Sequence, residues 1–361
     1  MATAKKLPSG SWRVQVYAGK DAAGKLQYRS FTRPTRKEAE YEALQWQLHY
    51  KEISRDSTAM TLAEAMDKYI RSKDGILSPS TIRGYDIIRR EHLKGLMDQK
   101  LNRLTPSMIQ EAINQESKPY IDKRGKERTP SPKSVRNVHG LLSAVLTEYC
   151  PGLRLNTTLP QKKLTEQSVL EPEEIAALLR AVEGTEMEIP VLLAVWLCMR
   201  SSEITGLTWD CVDFQRGTVT VKQARVRNKD NQWVDKDTTK TTSSARTINA
   251  PKYILDKLAA AQKEATTEHV VNIKGNCLYQ RLKTILRNND LPDIRFHDLR
   301  HTAASVMLML NIPDKYAQQR GGWSTPATMK NIYQHTMAAK RSAVDDVIDN
   351  YFACLIQPQA V

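Results

Sequence analysis

Phe296-His297-Asp298-Leu299-Arg300-His301-Thr302 is the stretch from which the rest of the chain can be read. On a helix, residues three apart share a face, so His297 and Arg300 point the same way. A guanidinium can hold two phosphate oxygens through parallel N–H bonds, and an imidazole beside it can donate a hydrogen bond or move a proton. His301 lies four residues from His297, a spacing that also suits a two-histidine metal face, but no third ligand stands out. The expectation is no metal and no cofactor.

Downstream comes Arg320-Gly321-Gly322-Trp323-Ser324-Thr325-Pro326-Ala327-Thr328-Met329-Lys330-Asn331-Ile332-Tyr333-Gln334-His335. A tyrosine near a C-terminus is ordinarily a packing residue. As a nucleophile on phosphate it forms an ester that keeps the energy of the broken bond, so religation needs neither ATP nor a metal. A phenol titrates near pH ~10, so cations must favour the phenolate or a base must take its proton.

Two stretches lie upstream. Leu197-Cys198-Met199-Arg200-Ser201-Ser202-Glu203 reads as an apolar helix ending in an arginine, with a glutamate three residues on. An arginine beside apolar sequence is costly to desolvate unless it has a partner or an anionic ligand, so a structural Arg–Glu pair and a phosphate-binding arginine both fit. Lys240-Thr241-Thr242-Ser243-Ser244-Ala245-Arg246-Thr247-Ile248 reads as a polar hairpin turn between two strands. A lysine at such a tip is usually solvated; one that reaches a phosphodiester can give a proton to the leaving 5′-oxygen.

The chain as a whole suits a polyanionic partner. Across 361 residues, 54 Lys and Arg stand against 40 Asp and Glu, a net charge of +14, which points to nucleic acid or an anionic membrane surface. No stretch approaches a membrane span and the N-terminus has no apolar signal core, so a cytoplasmic location is expected. Cys150, Cys198, Cys211, Cys277 and Cys354 are odd in number and scattered, which reads as reduced packing residues.

Three segments follow from the patterning, in a mainly α fold with small β-sheets (α+β). In residues 1–55, Trp12–Tyr17 and Leu26–Phe31 alternate in character around a turn-forming Asp21-Ala22-Ala23-Gly24, which predicts a hairpin. Thr35 to Glu38 spells a capping box for a helix carrying Ala39, Ala43, Trp46 and Tyr50 on one face. With 11 Lys and Arg against 5 Asp and Glu, this small sheet could lie in a DNA groove or simply show a solvated basic face; Arg13 and Arg29 are the candidate contacts. Residues 58–160 read as all-helical, with helices around 62–72, 80–96, 106–114 and 132–149 and starts at Thr61, Thr105-Pro106 and Ser131-Pro132. A basic loop, Lys118 to Arg136, offers Lys123, Arg124, Lys126 and Arg128 to phosphates or to solvent. After a polar linker, residues 166–361 open on a helix at Glu171-Pro172, with strand-like runs at 218–226, 232–238 and 245–249.

Arginine, lysine in a strand turn, His-x-x-Arg, then Trp or His ten residues before Tyr: this order is similar to the catalytic set of the tyrosine recombinases. The resemblance implies Arg200 and Arg300 as phosphate clamps, Lys240 as leaving-group acid, and His297 as companion donor or base. It implies Trp323 as an indole donor, Tyr333 as nucleophile and Glu203 as the supporting acidic residue. It also implies an N-terminal three-stranded sheet with a helix that binds arm sites, a helical core-binding domain, and a catalytic domain with a small antiparallel sheet. Double-stranded attachment-site DNA, a homotetramer on it, and a DNA-bending protein or excisionase are the implied partners, with no membrane. Type IB topoisomerases share much of the set, and a non-catalytic DNA-binding regulator could share the first two domains. The chain departs from the family at Cys198, where Gly is common, at Gly321, where Leu is common, and at Trp323, where His is more usual. Val344, Val347, Ile348, Tyr351 and Phe352, at helical spacing, fit a tail helix that docks on a neighbouring subunit or caps its own core.

Overall fold

The structure, a computed structural model, describes residues 3–20, 26–122, 124–162, 168–237, 245–273, 277–323 and 325, with the backbone alone at 18–20, 27, 49–59 and 237. It forms two compact units, residues 1–164 with 228–232, and residues 165–227 with 233–361.

In the first unit, β1 (Lys5–Lys6), β2 (Trp12–Lys20) and β3 (Leu26–Arg33) form an antiparallel sheet in that order. Val14 stands opposite Phe31 and Val16 opposite Arg29, so the period-2 alternation turns Val14, Val16 and Phe31 to one face. Ala39 and Ala43 of α1 (Arg36–Ala59) cover that face. The hairpin tip at 21–24 lies outside the described residues.

The helices that follow are α2 (Leu62–Lys73), α3 (Pro79–Glu91), α4 (Lys94–Met97), α5 (Pro106–Glu116) and α6 (Pro132–Tyr149), packed on Leu62, Met66, Leu101, Ile109, Leu142 and Leu146. Thr61 and Glu64 close a reciprocal capping box, and Thr105 and Ser131 cap helices whose first residue is proline. The single helix expected over 80–96 is two. Leu93 sits in the left-handed region at φ 52°, and Glu116 accepts hydrogen bonds from its N–H at 2.7 Å and pairs with the His92 ring at 2.6 Å. A carboxylate that holds the turn from another helix outweighs a sequence pattern that would carry the helix through. The basic loop folds as a ribbon of β4 (Tyr120–Ile121) and β5 (Glu127–Arg128), with Asp122 accepting from the N–H groups of Arg124 and Lys126 and from Arg128 Nε.

The second unit is built from α7 (Pro172–Val182), α8 (Glu188–Val195) and α9 (Ser201–Gly206), then β6 (Val212–Asp213), β7 (Thr218–Val221), β8 (Gln223–Arg227), β9 (Trp233–Asp237) and β10 (Arg246–Asn249), then α10 (Lys252–Lys263), α11 (Cys277–Asn288), α12 (Asp298–Met309) and α13 (Asp314–Gly321). Its core runs through Leu178, Val191, Leu193, Ile204, Val219, Ile248, Leu258, Leu282 and Leu299. The run expected over 218–226 divides at Lys222: β7 joins the antiparallel sheet β10-β7-β6, while β8 pairs with β9. Strands β9 and β10 therefore belong to different sheets, and the Lys240 turn expected between them lies outside the described residues. Gly206 ends α9 against β8, where a β-carbon would lie 2.7 Å from the Arg225 nitrogen. Among the described residues, no helix is long and apolar enough to cross a membrane.

Candidate active site

Arginine at 200 does not end a helix, as the sequence suggested; it opens one. Helix α8 stops at Val195, Cys198 turns the chain in the left-handed region at φ 55°, and Arg200 is the N-cap of α9. Left-handed backbone costs an ordinary residue about 1–2 kcal/mol, which explains why glycine suits the Cys198 position. The turn also aims the Cys198 carbonyl at Arg300, whose Nη1 donates to it.

Three residues into α9, Glu203 is 2% exposed and gathers two arginines. It accepts from the Arg200 N–H at 2.8 Å and Arg200 Nη1 at 2.6 Å, and from Arg246 Nη2 at 2.8 Å and Nη1 at 3.2 Å. Burial alone would push its carboxyl up, but the Arg246 hydrogen bonds and the Arg246 and Arg200 charges prevail and bring it down to about 2. Glu203 is therefore a carboxylate at any working pH.

Helix α13 supplies the opposite wall. The last carbonyls of a helix have no intrahelical partner and carry its partial negative charge, so they attract cations. Here three consecutive ones are each taken by a different guanidinium: Arg246 Nε donates to the Arg320 carbonyl at 2.9 Å, Arg300 Nη2 to that of Gly321, and Arg200 Nη2 to that of Gly322 at 2.8 Å. Gly322 itself is left-handed at φ 62° and backs onto Arg246, where a β-carbon would meet Nη1 at 2.9 Å.

Arg300 is 2% exposed, and burial lowers its pKa to about 10, still cationic near neutrality. The Trp323 ring, 4% exposed, lies over its guanidinium at 4.5 Å. Packed around that ring are Cys198, Ala303, Ala304, Met307 and Ala317. Gly321 is what lets the indole lie there, since a β-carbon would come within 2.1 Å of Cζ3. Two departures from the family pattern, Gly321 and Trp323, are thus one packing solution.

His297 is the residue before α12 and keeps an exposed edge. Packing, then the Arg300 charge, lowers its pKa, so it is neutral at pH 7. His301 is buried against it, ring centroids 4.8 Å apart and planes perpendicular, and burial takes its pKa down to about 4. Among the described residues, the one group with metal-ligand spacing is elsewhere, at Asp235, Glu268 and His269, and Arg225 already stands 3.6 Å from Asp235.

The structure thus brings together Arg200, Glu203, Arg300 and Trp323, with His297 beside them; Lys240 and Tyr333 lie outside the described residues. The sequence reading gave Arg246 no role. Its signal was there: Arg246 and Ile248 share the inward face of β10, an unusual place for a charge unless it has partners. The candidate DNA contacts do not form one surface. Arg13 stands on the open face of the N-terminal sheet, whereas Arg29 lies over Phe31 and Trp46 on the helix-covered face. Arg124, Lys126 and Arg128 are exposed on the β4–β5 ribbon, and Lys123 lies outside the described residues.

Three guanidiniums beside a single carboxylate, two of them bonded to it, leave an excess of positive charge that the partial charge of a helix end offsets only in part. Such a site favours an oxyanion. The family model of the phage integrase family matches residues 168–340, the unit that holds this cluster. That unit belongs to the phage integrase family. This integrase is a tyrosine recombinase, an enzyme of the site-specific recombination that mobile elements use. It is 25% identical over 385 residues to a protein named "Tyrosine recombinase XerC-like" from Caldanaerobacter subterraneus, covering 94% of this chain and 96% of that one. It is 24% identical to the ICEBs1 integrase of Bacillus subtilis, covering 96% and 99%. In fold it resembles the Tn1549 transposon integrase solved with transposon right end DNA, at a TM-score of 0.61 and 17% identity over 80% of this chain and 100% of that one.

Proposed function

We propose that this integrase cuts and rejoins double-stranded DNA at attachment sites through a 3′-phosphotyrosyl intermediate on Tyr333, integrating and excising the element that encodes it. The observation that carries this reading is the cluster of Arg200, Arg246 and Arg300 around one buried carboxylate. Arg200, with its side chain 33% exposed, and Arg300 hold the non-bridging oxygens of the scissile phosphate. Their charge stabilises the pentavalent transition state, where negative charge accumulates. Tyr333 attacks in line, and Lys240 protonates the departing 5′-oxygen. His297, neutral at pH 7, donates to the phosphate or takes the tyrosine proton. Trp323 adds an indole donor from its seat on Arg300. The 5′-hydroxyl of a partner strand then attacks the ester, and four protomers exchange four strands in two rounds.

The division of labour follows the three segments: residues 1–55 hold arm sites, 58–160 the core site, and 166–361 do the chemistry. On the first, the open sheet face with Lys5, Arg13, Gln15, Tyr17 and Tyr28 suits a groove better than the covered face that carries Arg29. An excisionase or a DNA-bending protein sets direction, and the reaction takes place in the bacterial cytoplasm.

The test is incubation with a nicked attachment-site duplex, from which the leaving strand is lost so that the covalent species accumulates. A denaturation-resistant protein–DNA adduct is expected, unaffected by chelator and absent in Tyr333→Phe. An adduct that survives Tyr333→Phe, or cleavage that stops on chelation, overturns the proposal.

A further inference from the structure

We propose that Arg246 is a positioning residue for strand cleavage: it fixes Glu203, and through it the Arg200 guanidinium, while binding the same unit to the end of α13. This rests on the reading above and adds to the implied catalytic set a residue that acts only through others.

The geometry assigns the role. Arg246 is the first residue of β10, and its side chain is 7% exposed. Its Nη1 and Nη2 bond both oxygens of Glu203, at 3.2 and 2.8 Å, in the planar fork that only arginine offers. Its Nε bonds the Arg320 carbonyl at 2.9 Å. The same two Glu203 oxygens orient Arg200 through its N–H and Nη1. Arg246 therefore meets three segments at one point: the N-cap of α9, the strand that follows Lys240 in sequence, and the helix end that precedes Tyr333. Gly322 leaves the room it occupies, since any β-carbon there would strike its guanidinium. With Nε, Nη1 and Nη2 all bonded to protein acceptors, it is placed to hold the clamp and not to be the clamp.

The charged and titratable groups facing Glu203 are Arg200 on α9, Arg246 on β10, Arg300 on α12 and the Cys198 thiol. Removing Arg246 takes away the principal influence that opposes burial, so the carboxyl titrates closer to neutrality and Arg200 loses its fixed anion.

The experiment uses the full-length integrase with Arg246→Met, Arg246→Lys and Glu203→Gln. Adduct formation on nicked attachment-site DNA is followed across acid and neutral pH, DNA affinity is measured separately, and the Glu203 carboxyl is titrated by 13C NMR without DNA. Arg246→Met should slow cleavage on the order of 100-fold, the scale of a one-ångström misplacement, with affinity little changed. Its acid limb should move to higher pH, and the NMR midpoint of Glu203 should rise with it. Arg246→Lys, which returns charge without the fork, should recover part of both. In a Glu203→Gln background, Arg246→Met should no longer move the limb. A Glu203 midpoint unchanged in both Arg246 variants, or a pH profile parallel to wild type, overturns the proposal. Should Arg246→Met fail to fold, Arg246→Lys carries the same two readouts. Because the NMR titration needs no DNA, an integrase that forms no Tyr333 adduct defeats the functional reading and leaves this one to be decided by Glu203.

Discussion

Replacing Gly321 with alanine puts a β-carbon 2.1 Å from Cζ3 of Trp323, 2.4 Å from Cε3 and 2.6 Å from Cη2. A flexible chain could swing aside, but this indole is 4% exposed and enclosed by Cys198, Ala303, Ala304, Met307 and Ala317. Overpacking of this sort costs about 1–3 kcal/mol. A displaced ring also leaves the Arg300 guanidinium, 4.5 Å below it, a contact of about 0.5–2 kcal/mol. Together these come to about 1.5–5 kcal/mol, and at about 2–4 °C per kcal/mol for a unit of this size the melting midpoint should fall by roughly 3–20 °C. Cleavage should fall as well, because Arg300 also loses its alignment with the Gly321 carbonyl. The decisive arm is the pair Gly321→Leu with Trp323→His, the residues that the family resemblance gives as usual at the two positions. Each single variant should destabilise, one by clash and the other by a cavity, while in the double the leucine fills the space the indole vacates. A favourable coupling of about 1 kcal/mol or more is expected. Thermal unfolding and adduct yield are the assays. A Gly321→Ala protein that melts with wild type, or a double variant whose loss equals the sum of the singles, refutes the reasoning.

Four further outcomes follow from the same site. Glu203 is an ordinary carboxyl near 4.5 when unfolded and about 2 when folded, so its contribution of about 3 kcal/mol is complete above pH 4.5 and disappears as pH falls toward 2; Glu203→Gln should flatten that acid limb in denaturant titrations. His301, lowered from 6.5 to about 4, is bound neutral, so its share is present above pH 6.5 and lost as pH falls toward 4; 1H–15N NMR should show it uncharged at pH 5, and a midpoint above 6 contradicts the burial argument. Gly322→Ala combines a left-handed backbone, about 1–2 kcal/mol, with a β-carbon 2.9 Å from Arg246 Nη1, and should lower stability and cleavage together; cleavage at the wild-type rate would exclude a role for that packing. Cys198→Gly relieves the same kind of backbone strain at φ 55° but leaves a small void, and should change unfolding free energy by less than about 1 kcal/mol.

What the sequence disclosed was periodic or local. The alternation of Val14 and Val16 and the Thr61–Glu64, Thr105-Pro106 and Ser131-Pro132 starts each act within a few residues, and the elements they announce are present. The errors come from partners distant in sequence. Glu116, 23 residues away, holds the break at Leu93 that the helical pattern hides. Arg200 reads as the end of an apolar helix because nothing local shows that Cys198 has already turned the chain. Arg200, Glu203, Arg300 and Trp323 could be picked out as a set through family resemblance, but not their mutual support. The contact of Arg246 with Glu203 spans 43 residues, and that of Arg200 with Gly322 spans 122.

The carbonyls at the end of α13 explain why the site is built from arginines and not lysines. Each of the three cations must satisfy a helix-end carbonyl and a second group at once: Glu203 for Arg200 and Arg246, the Cys198 carbonyl for Arg300. An ammonium could meet one of these well and the other poorly, whereas a planar fork meets both with fixed geometry. The donors so spent are unavailable to phosphate, so on the proposed mechanism the fork's remaining N–H groups and the undissipated charge are what a scissile phosphate would meet. A clamp held this way needs little reorganisation when DNA arrives, which is the condition under which fixed dipoles and charges lower a barrier most. The cost is a cluster of like charges that only an anion completes. On the mechanism proposed above, its position at the end of α13, shortly before Tyr333 in sequence, ties the binding of that anion to the part of the chain that carries the nucleophile.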